Sequence, residues 1–259
     1  MHLARLMTAH GPRYAAVDRE RNTVRPLHGA TNVEELARLT EPPPKLAGES
    51  LPLTEARLLA PVLPGKIVVV GRNYAGRPDA PGDLLIHLKP PTAVIGPHEP
   101  IVLPAFAHDI RYEGELAVII GRTCRSVPPE DAASHVLGYT CANDVTAWDI
   151  GSDGGQWTKA KGMDTFCPLG PWISTDVDPE AAAITTRVNG EVRQKGSTAH
   201  LTRSTATLVS AVSRLMTLLP GDVLLTGTPE GSTALKDGDT VTIDIDGIGA
   251  LCNPVTASP

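Results

Sequence analysis

The sequence predicts an α+β fold, mostly β, in which a mixed or antiparallel sheet assembly over residues 61–259 follows a small α/β domain at residues 1–60. Three observations carry that expectation. The apolar runs are strand-length and do not alternate regularly with helical segments. Only one stretch, residues 204–218, has clear amphipathic helical spacing, with Leu208, Ala211, Val212 and Leu215 on one face. Finally, 24 Gly and 24 Pro in 259 residues mark many turns between short strands.

Along the chain, residues 13–18 and 23–27 read as a hairpin and residues 33–39 as a short helix after Asn32, with Glu41-Pro-Pro-Pro44 as a breaker. The main region opens with a near-continuous apolar strand at 65–71. A Gly/Pro/Asp-rich loop at 76–83 follows, then strands at 84–89 and 92–95. Residues 115–121 are again apolar, 129–135 read as a short helix, and 136–142 as a strand leading into Asn143-Asp144. Strands at 184–188 and 191–194 flank Asn189-Gly190, a strong hairpin signal. Strands at 222–226, 240–245 and 248–252 close the domain.

Composition excludes several classes. With 23 Lys plus Arg against 29 Asp plus Glu, the formal charge is -6, and no long basic stretch offers the phosphate-neutralising surface of a nucleic-acid binder. The apolar runs fall far short of the roughly 18 residues of a membrane span, and residues 1–11 lack the apolar core of a signal peptide, so a cytoplasmic protein is expected. Cys124, Cys141, Cys167 and Cys252 have no metal or redox spacing and read as small buried hydrophobes. Three Trp, four Tyr and two Phe argue weakly against ligand recognition by stacking.

Chemistry concentrates in Arg111-Tyr-Glu-Gly-Glu115. Glu113 and Glu115, two residues apart on an extended strand, leave the same face, and two like charges there call for a compensating cation. Asp144, ending another apolar strand, would complete an all-oxygen site for a hard ion such as Mg2+. On the residues alone, a solvated Glu-x-Glu face is the commoner reading.

A series of ordered motifs reaches further: Val68-Val-Val-Gly-Arg-Asn-Tyr74, Leu88-Lys-Pro-Pro91, Tyr112-Glu-Gly-Glu-Leu116 and Gly138-Tyr-Thr-Cys-Ala-Asn-Asp144. After them come Trp157-Thr-Lys-Ala-Lys-Gly162, Phe166-Cys-Pro-Leu-Gly-Pro171, Val188-Asn-Gly-Glu-Val-Arg-Gln194 and Thr226-Gly-Thr-Pro229. Together they resemble the fumarylacetoacetate hydrolase family over about three quarters of the chain. The resemblance implies a mixed β-roll of that family's C-terminal type, usually a homodimer. It also implies one Mg2+ (or Mn2+) that chelates a small-molecule 2-oxo acid or β-dicarbonyl substrate. By the same resemblance Glu113, Glu115 and Asp144 are the metal ligands, Lys161 is a catalytic ammonium, and Thr228 meets a substrate carboxylate. Arg72 and Lys89 fall on strands at the pocket's edge, as substrate-binding residues or as simply structural ones.

Departures from the family pattern shape the expected reaction. Where hydrolytic members carry a His and, three residues on, a Glu that activate water, this chain has Arg77 and Ala80, neither a base near neutral pH, in a loop with Pro78, Pro81 and Gly82. The family's Ala-Arg-Asp-x-Gln reads Ala147-Trp-Asp-Ile-Gly151, which removes two polar groups and points to a less anionic or bulkier substrate, with Trp148 either contacting it or simply packing. An enzyme that enolises its substrate and then isomerises, tautomerises or decarboxylates it is therefore expected. Two alternatives stand beside it: a C-C hydrolase with a substitute base, and a catalytically degenerate metal- or ligand-binding homologue. For the proton carrier the candidate is His87, two residues before Lys89 on one strand face, where the family usually has an aromatic residue; His98 and His108 are fallbacks.

Overall fold

The protein is described by a computed structural model covering residues 1–38, 45–75, 83–152 and 155–258. The breaker at Glu41–Pro44 and the replaced dyad positions Arg77 and Ala80 lie outside the described residues, as does Leu39 at the end of the first expected helix.

The N-terminal segment forms a meander of β1 (His2–Thr8), β2 (Gly11–Asp18) and β3 (Thr23–Pro26), followed by α1 (Val33–Arg38). The expected hairpin is β2–β3; β1, not anticipated, pairs along its whole length with β2, from His2↔Val17 to Thr8↔Gly11. Its burial explains it, since Leu3, Ala4 and Leu6 are core residues. Side-chain caps start α1: Asn32 Oδ1 accepts from Glu35 N at 2.9 Å, while the Glu35 carboxylate accepts from Thr31 N at 2.8 Å and Thr31 Oγ1 at 2.7 Å. Two short strands, β4 (Leu51–Pro52) and β5 (Leu58–Leu59), edge onto β3 and β1.

The main region continues with β6 (Ile67–Gly71), β7 (Leu85–Lys89), β8 (Val94–Ile95), β9 (Ile101–Leu103), β10 (Ile110–Arg111), β11 (Gly114–Ile120), β12 (Val136–Asn143) and β13 (Thr146–Ala147). Two short helices follow, α2 (Trp148–Ser152) and α3 (Trp157–Lys161), then β14 (Cys167–Ser174), β15 (Ala183–Val188), β16 (Glu191–Ser197) and α4 (Thr205–Leu215). The chain closes with β17 (Val223–Leu225), β18 (Thr240–Ile245) and β19 (Gly249–Ala257). Among the described residues, a large mixed sheet runs in the order β4-β3-β2-β1-β14-β12-β11-β17-β6-β7, and a second sheet runs β16-β15-β18-β19-β9.

Apolar contacts explain why β6 is a continuous hydrophobic run. Ile67 and Val69 join the cluster that contains Val223 and Leu225, while Val68 and Val70 pack with Leu208, Val209 and Val212 of α4. A strand covered on both faces has no polar side to alternate with. A third cluster, including Leu116, Ile184, Ile243 and Leu251, joins the two sheets.

Several expectations need correction. Residues 129–135 form a 3-10 helix, and α4 stops at Leu215 rather than 218, because Met216 turns extended (φ -150, ψ 145). Pro91–Ala93 form a 3-10 turn, so the strand expected at 92–95 is only Val94–Ile95. The last strand starts at Gly249 and runs to Ala257. Arg72 is not on a strand: it follows the end of β6 in a left-handed conformation (φ 57). No helix among the described residues is long and apolar enough to cross a membrane.

Candidate active site

β11 and β12 run antiparallel with Gly114 opposite Asn143, so the start of one strand meets the end of the other. Asn143 Oδ1 accepts from Glu113 N and Asp144 N donates to Glu113 O, both at 2.9 Å, which holds Asp144 beside the Glu113-Gly-Glu115 segment. One carboxylate oxygen from each of Glu113, Glu115 and Asp144 lies within 4.8 Å of the others, and all three residues are buried. Gly114 between them is required by a close approach: a Cβ there would sit 2.2 Å from Thr186 Oγ1 on the opposite face.

Loops fix the acids from the other side. Gly227 N donates to Glu115 Oε2 at 2.7 Å from a left-handed conformation (φ 101) that favours glycine. The Asn73 amide holds that loop through Thr226 O and reaches Arg203 O, each at 3.0 Å. Thr228 Oγ1 donates to Gly114 O at 2.9 Å and accepts from Gln194 Nε2 at 3.0 Å, so the hydroxyl proton braces the Glu113–Glu115 segment.

Two lysines face the three acids. Lys161, at the end of α3, donates to Glu113 Oε2 at 3.0 Å, to Thr146 Oγ1 at 2.7 Å and to Asp144 Oδ2. Lys89 Nζ donates to Asp144 Oδ1 at 2.5 Å and to Val145 O at 2.9 Å. Burial pushes the Asp144 carboxyl up, but Lys161 and Lys89 outweigh it and hold the group at about 2. Burial works against the Lys161 ammonium, yet Asp144 and Glu113 keep it well above the usual lysine range. Glu113 and Glu115 are both pushed up, first by burial and then by neighbouring carboxylates, Glu115 furthest. Three carboxylates against two ammoniums leave a buried surplus of negative charge centred on Glu115. Clustered hard oxygen donors with such a surplus fit a Mg2+-type cation.

The cleft above these acids has a volume of ≈ 620 Å³, its open mouth included, and is lined by Glu113, Glu115, Asp144 and Lys161 at one end. Arg72, His87, Trp148 and Thr228 also line it, so eight of the nine expected site residues converge. Lys89 is the exception. Its side chain is fully buried (0%) behind Asp144, so it holds a candidate metal ligand rather than meeting substrate at the pocket's edge. The face expected from strand parity is right, but the lysine lies deeper than His87. Burial, and then the nearby Lys161 charge, lowers the His87 pKa below the ordinary histidine value, so its imidazole is neutral near pH 7. Among the described residues His87 is the histidine on the cleft, whereas His98 and His108 are exposed and line no part of it.

Sequence reasoning missed Trp157. Its ring lies 5.5 Å from that of Trp148, edge-on at 82°, and 5.7 Å from the His87 ring. A Cβ on Gly151 would meet Trp157 ring carbons at 2.7 Å, so the glycine where the family carries glutamine provides the ring's seat. That substitution was the available signal.

Comparison with known proteins agrees with the geometry. The family described as Fumarylacetoacetate (FAA) hydrolase C-terminal matches residues 66–256, and Rv2993c-like, N-terminal matches residues 1–61. The chain belongs to the fumarylacetoacetate hydrolase family. It is 46% identical over 265 residues to Protein Rv2993c of Mycobacterium tuberculosis, covering 98% of each chain. Oxaloacetate tautomerase FAHD2A, mitochondrial, of Bos taurus is 41% identical over 223 residues, which cover 79% of this chain and 71% of the relative. The crystal structure of 5-carboxymethyl-2-hydroxymuconate delta-isomerase from Mycobacterium smegmatis superposes with a TM-score of 0.91 at 46% identity, covering 100% of both chains.

Proposed function

We propose that this protein is a Mg2+- or Mn2+-dependent enzyme that enolises a 2-oxo acid or β-dicarbonyl substrate and rearranges it by isomerisation, tautomerisation or decarboxylation without activating water. The observation that carries the reading is the buried Glu113, Glu115 and Asp144 triad with its surplus negative charge at the closed end of the cleft. These three would hold the cation, which when bound would act as a Lewis acid on the 2-oxo group and lower the barrier to losing the adjacent proton. Lys161 stays an ammonium and stabilises negative charge that develops beside it. His87, neutral at pH 7, takes the proton from the carbon next to the 2-oxo group, the C–H electron pair moving into the carbon framework as the carbonyl oxygen becomes negative. It returns the proton to carbon or oxygen to complete a tautomerisation. Arg72 stands where it can orient the substrate carboxylate, whereas Thr228, its hydroxyl proton held by Gly114 O, could offer only its backbone N–H.

Support for a non-hydrolytic outcome comes from the cleft's composition. Among the described lining residues the carboxylates are the three triad acids, and the hydrolytic dyad positions are Arg77 and Ala80 in sequence. The relatives named as a tautomerase and a delta-isomerase agree. A C-C hydrolase using His87 as substitute base is the second reading, favoured by the same neutral imidazole. Incubating the Mg2+-loaded protein with 2-oxo acids in D2O separates them by NMR. Deuterium entering next to the 2-oxo group without cleavage is the expected result, and release of two carboxylic acids would sink the non-hydrolytic reading.

A further inference from the structure

Beside the acids, part of the cleft's lining is made of rings and aliphatic residues. Trp148, Trp157, His87 and Leu85, all half-buried, form it beside the buried β6 residues Val69 and Val70. Two of the chain's three tryptophans therefore gather on one cleft in a protein with 3% aromatic residues, whereas the third, Trp172, is a core residue whose Nε1 donates to Ile248 O at 2.8 Å. The rings are also held in place. Trp157 lies against Gly151, where any side chain would collide with it, and Trp148 stands edge-on to Trp157. Arg111 lies over Trp148 with its guanidinium carbon 5.1 Å from the ring centroid, and its fork is already bound to Asp109 at 2.8 and 2.6 Å.

We propose that this ring wall is a specificity determinant, with Trp157 at its centre, that selects 2-oxo acid substrates carrying a flat, uncharged tail, an aryl group above all. The proposal rests on the enolisation reading for the head of the substrate and adds the class of its tail. An aryl tail meets the ring faces and edges in the stacked or edge-on arrangements that aromatic pairs favour. A carboxylate tail would be desolvated against electron-rich ring faces and aliphatic carbons. Among the described residues, the cations near the wall are committed or peripheral: Arg111 to Asp109, Lys161 to the triad, and Arg72 exposed at the rim.

Three unreactive oxamates share a head that mimics a 2-oxo acid and differ in the tail: N-phenyloxamate, N-methyloxamate and N-oxalylglycine, whose tail is a carboxylate. Their binding to the Mg2+-loaded protein is measured by calorimetry, with tryptophan fluorescence as a second signal. The expected order places N-phenyloxamate about tenfold or more tighter than either of the others and quenching fluorescence most. Trp157→Ala should reduce the phenyl-to-methyl affinity ratio by about tenfold, and Trp157→Phe should restore most of it. Equal affinities, or tightest binding of N-oxalylglycine, would overturn the tail assignment while leaving the head reading intact. Binding of none of the three would overturn both. If Trp157→Ala fails to fold, Trp157→Phe and the wild-type series still decide, because a phenyl preference must be present in the wild type for the proposal to stand.

Discussion

Around the acids Glu115, Asp144 and Lys89 retain 1%, 0% and 1% of their exposure; Glu115 accepts from a backbone amide, Asp144 from Lys161 and Lys89, and Lys89 donates to Asp144 and Val145 O. At the aromatic end Trp148, Trp157 and His87 are half-buried, and Trp148 Nε1 and Asp149 Oδ1 have no hydrogen-bond partner among the described residues. Electrostatics thus dominates one end, where removing either lysine deepens a buried surplus of negative charge. Shape dominates the other, where a ring can be replaced by a smaller ring at modest cost.

Perturbing the two ends should therefore give effects of different size and kind. Glu115→Ala removes the group on which the surplus charge is centred. Turnover is expected to fall by at least ~10³, since several kcal/mol of charge stabilisation leave with the cation. Steady-state assays beside Mg2+ titrations check this, and a variant with unchanged Mg2+ affinity would point to another ligand set.

Lys89→Met should act on stability rather than on substrate affinity. Taking one partner from a buried ion pair costs about 3–5 kcal/mol, and here it leaves Asp144 leaning on Lys161 alone. Denaturant melts of the metal-free protein measure it; a loss under 1 kcal/mol would show that Lys89 does not carry Asp144's charge.

His87→Phe preserves a ring against Trp157 but removes the proposed proton carrier, so turnover should drop on the order of 100-fold while Mg2+ binding and folding persist. An unaltered rate and pH profile would take His87 out of the mechanism.

The smallest effect expected is on pH dependence, and its sign follows from the acids. Glu113 and Glu115 hold their protons above the usual carboxylate range in the folded, metal-free chain, so the folded state binds more protons than the unfolded state there. Stability of the metal-free protein should consequently fall as pH rises from about 4.5 through those raised values, and Mg2+ should cancel the fall while displacing protons. Asp144, held at about 2, contributes in the opposite sense, but its stabilisation is complete above its unfolded value near 3.8. Melting curves across pH with and without Mg2+ test this; a metal-free stability that climbs over the same window would contradict it.

The acidic end was legible in the sequence because its rules are local. Strand parity put Glu113 and Glu115 on one face, and the Asn143-Asp144 strand end supplied the third acid. Parity also placed His87 and Lys89 together, but it reports direction and not depth, so the buried position of Lys89 behind Asp144 did not follow. Trp157 stood in a recognised motif, yet its role depends on Gly151, six residues earlier, giving it room, a tertiary fact. β14 is absent from the strands read in the sequence: Pro168, Gly170 and Pro171 are poor residues for a central strand, although all eight of its residues are buried. In the structure, parallel pairing with β8 and register shifts against β12 accommodate them.

Calorimetric titration of metal-stripped wild-type protein with Mg2+ or Mn2+, paired with melting curves, addresses the central claim most directly. The account predicts a single saturable site, with Tm raised by roughly 5–10 °C at a hundredfold excess over Kd. No binding heat and an unmoved Tm with either ion would contradict the assignment of Glu113, Glu115 and Asp144 as a metal site.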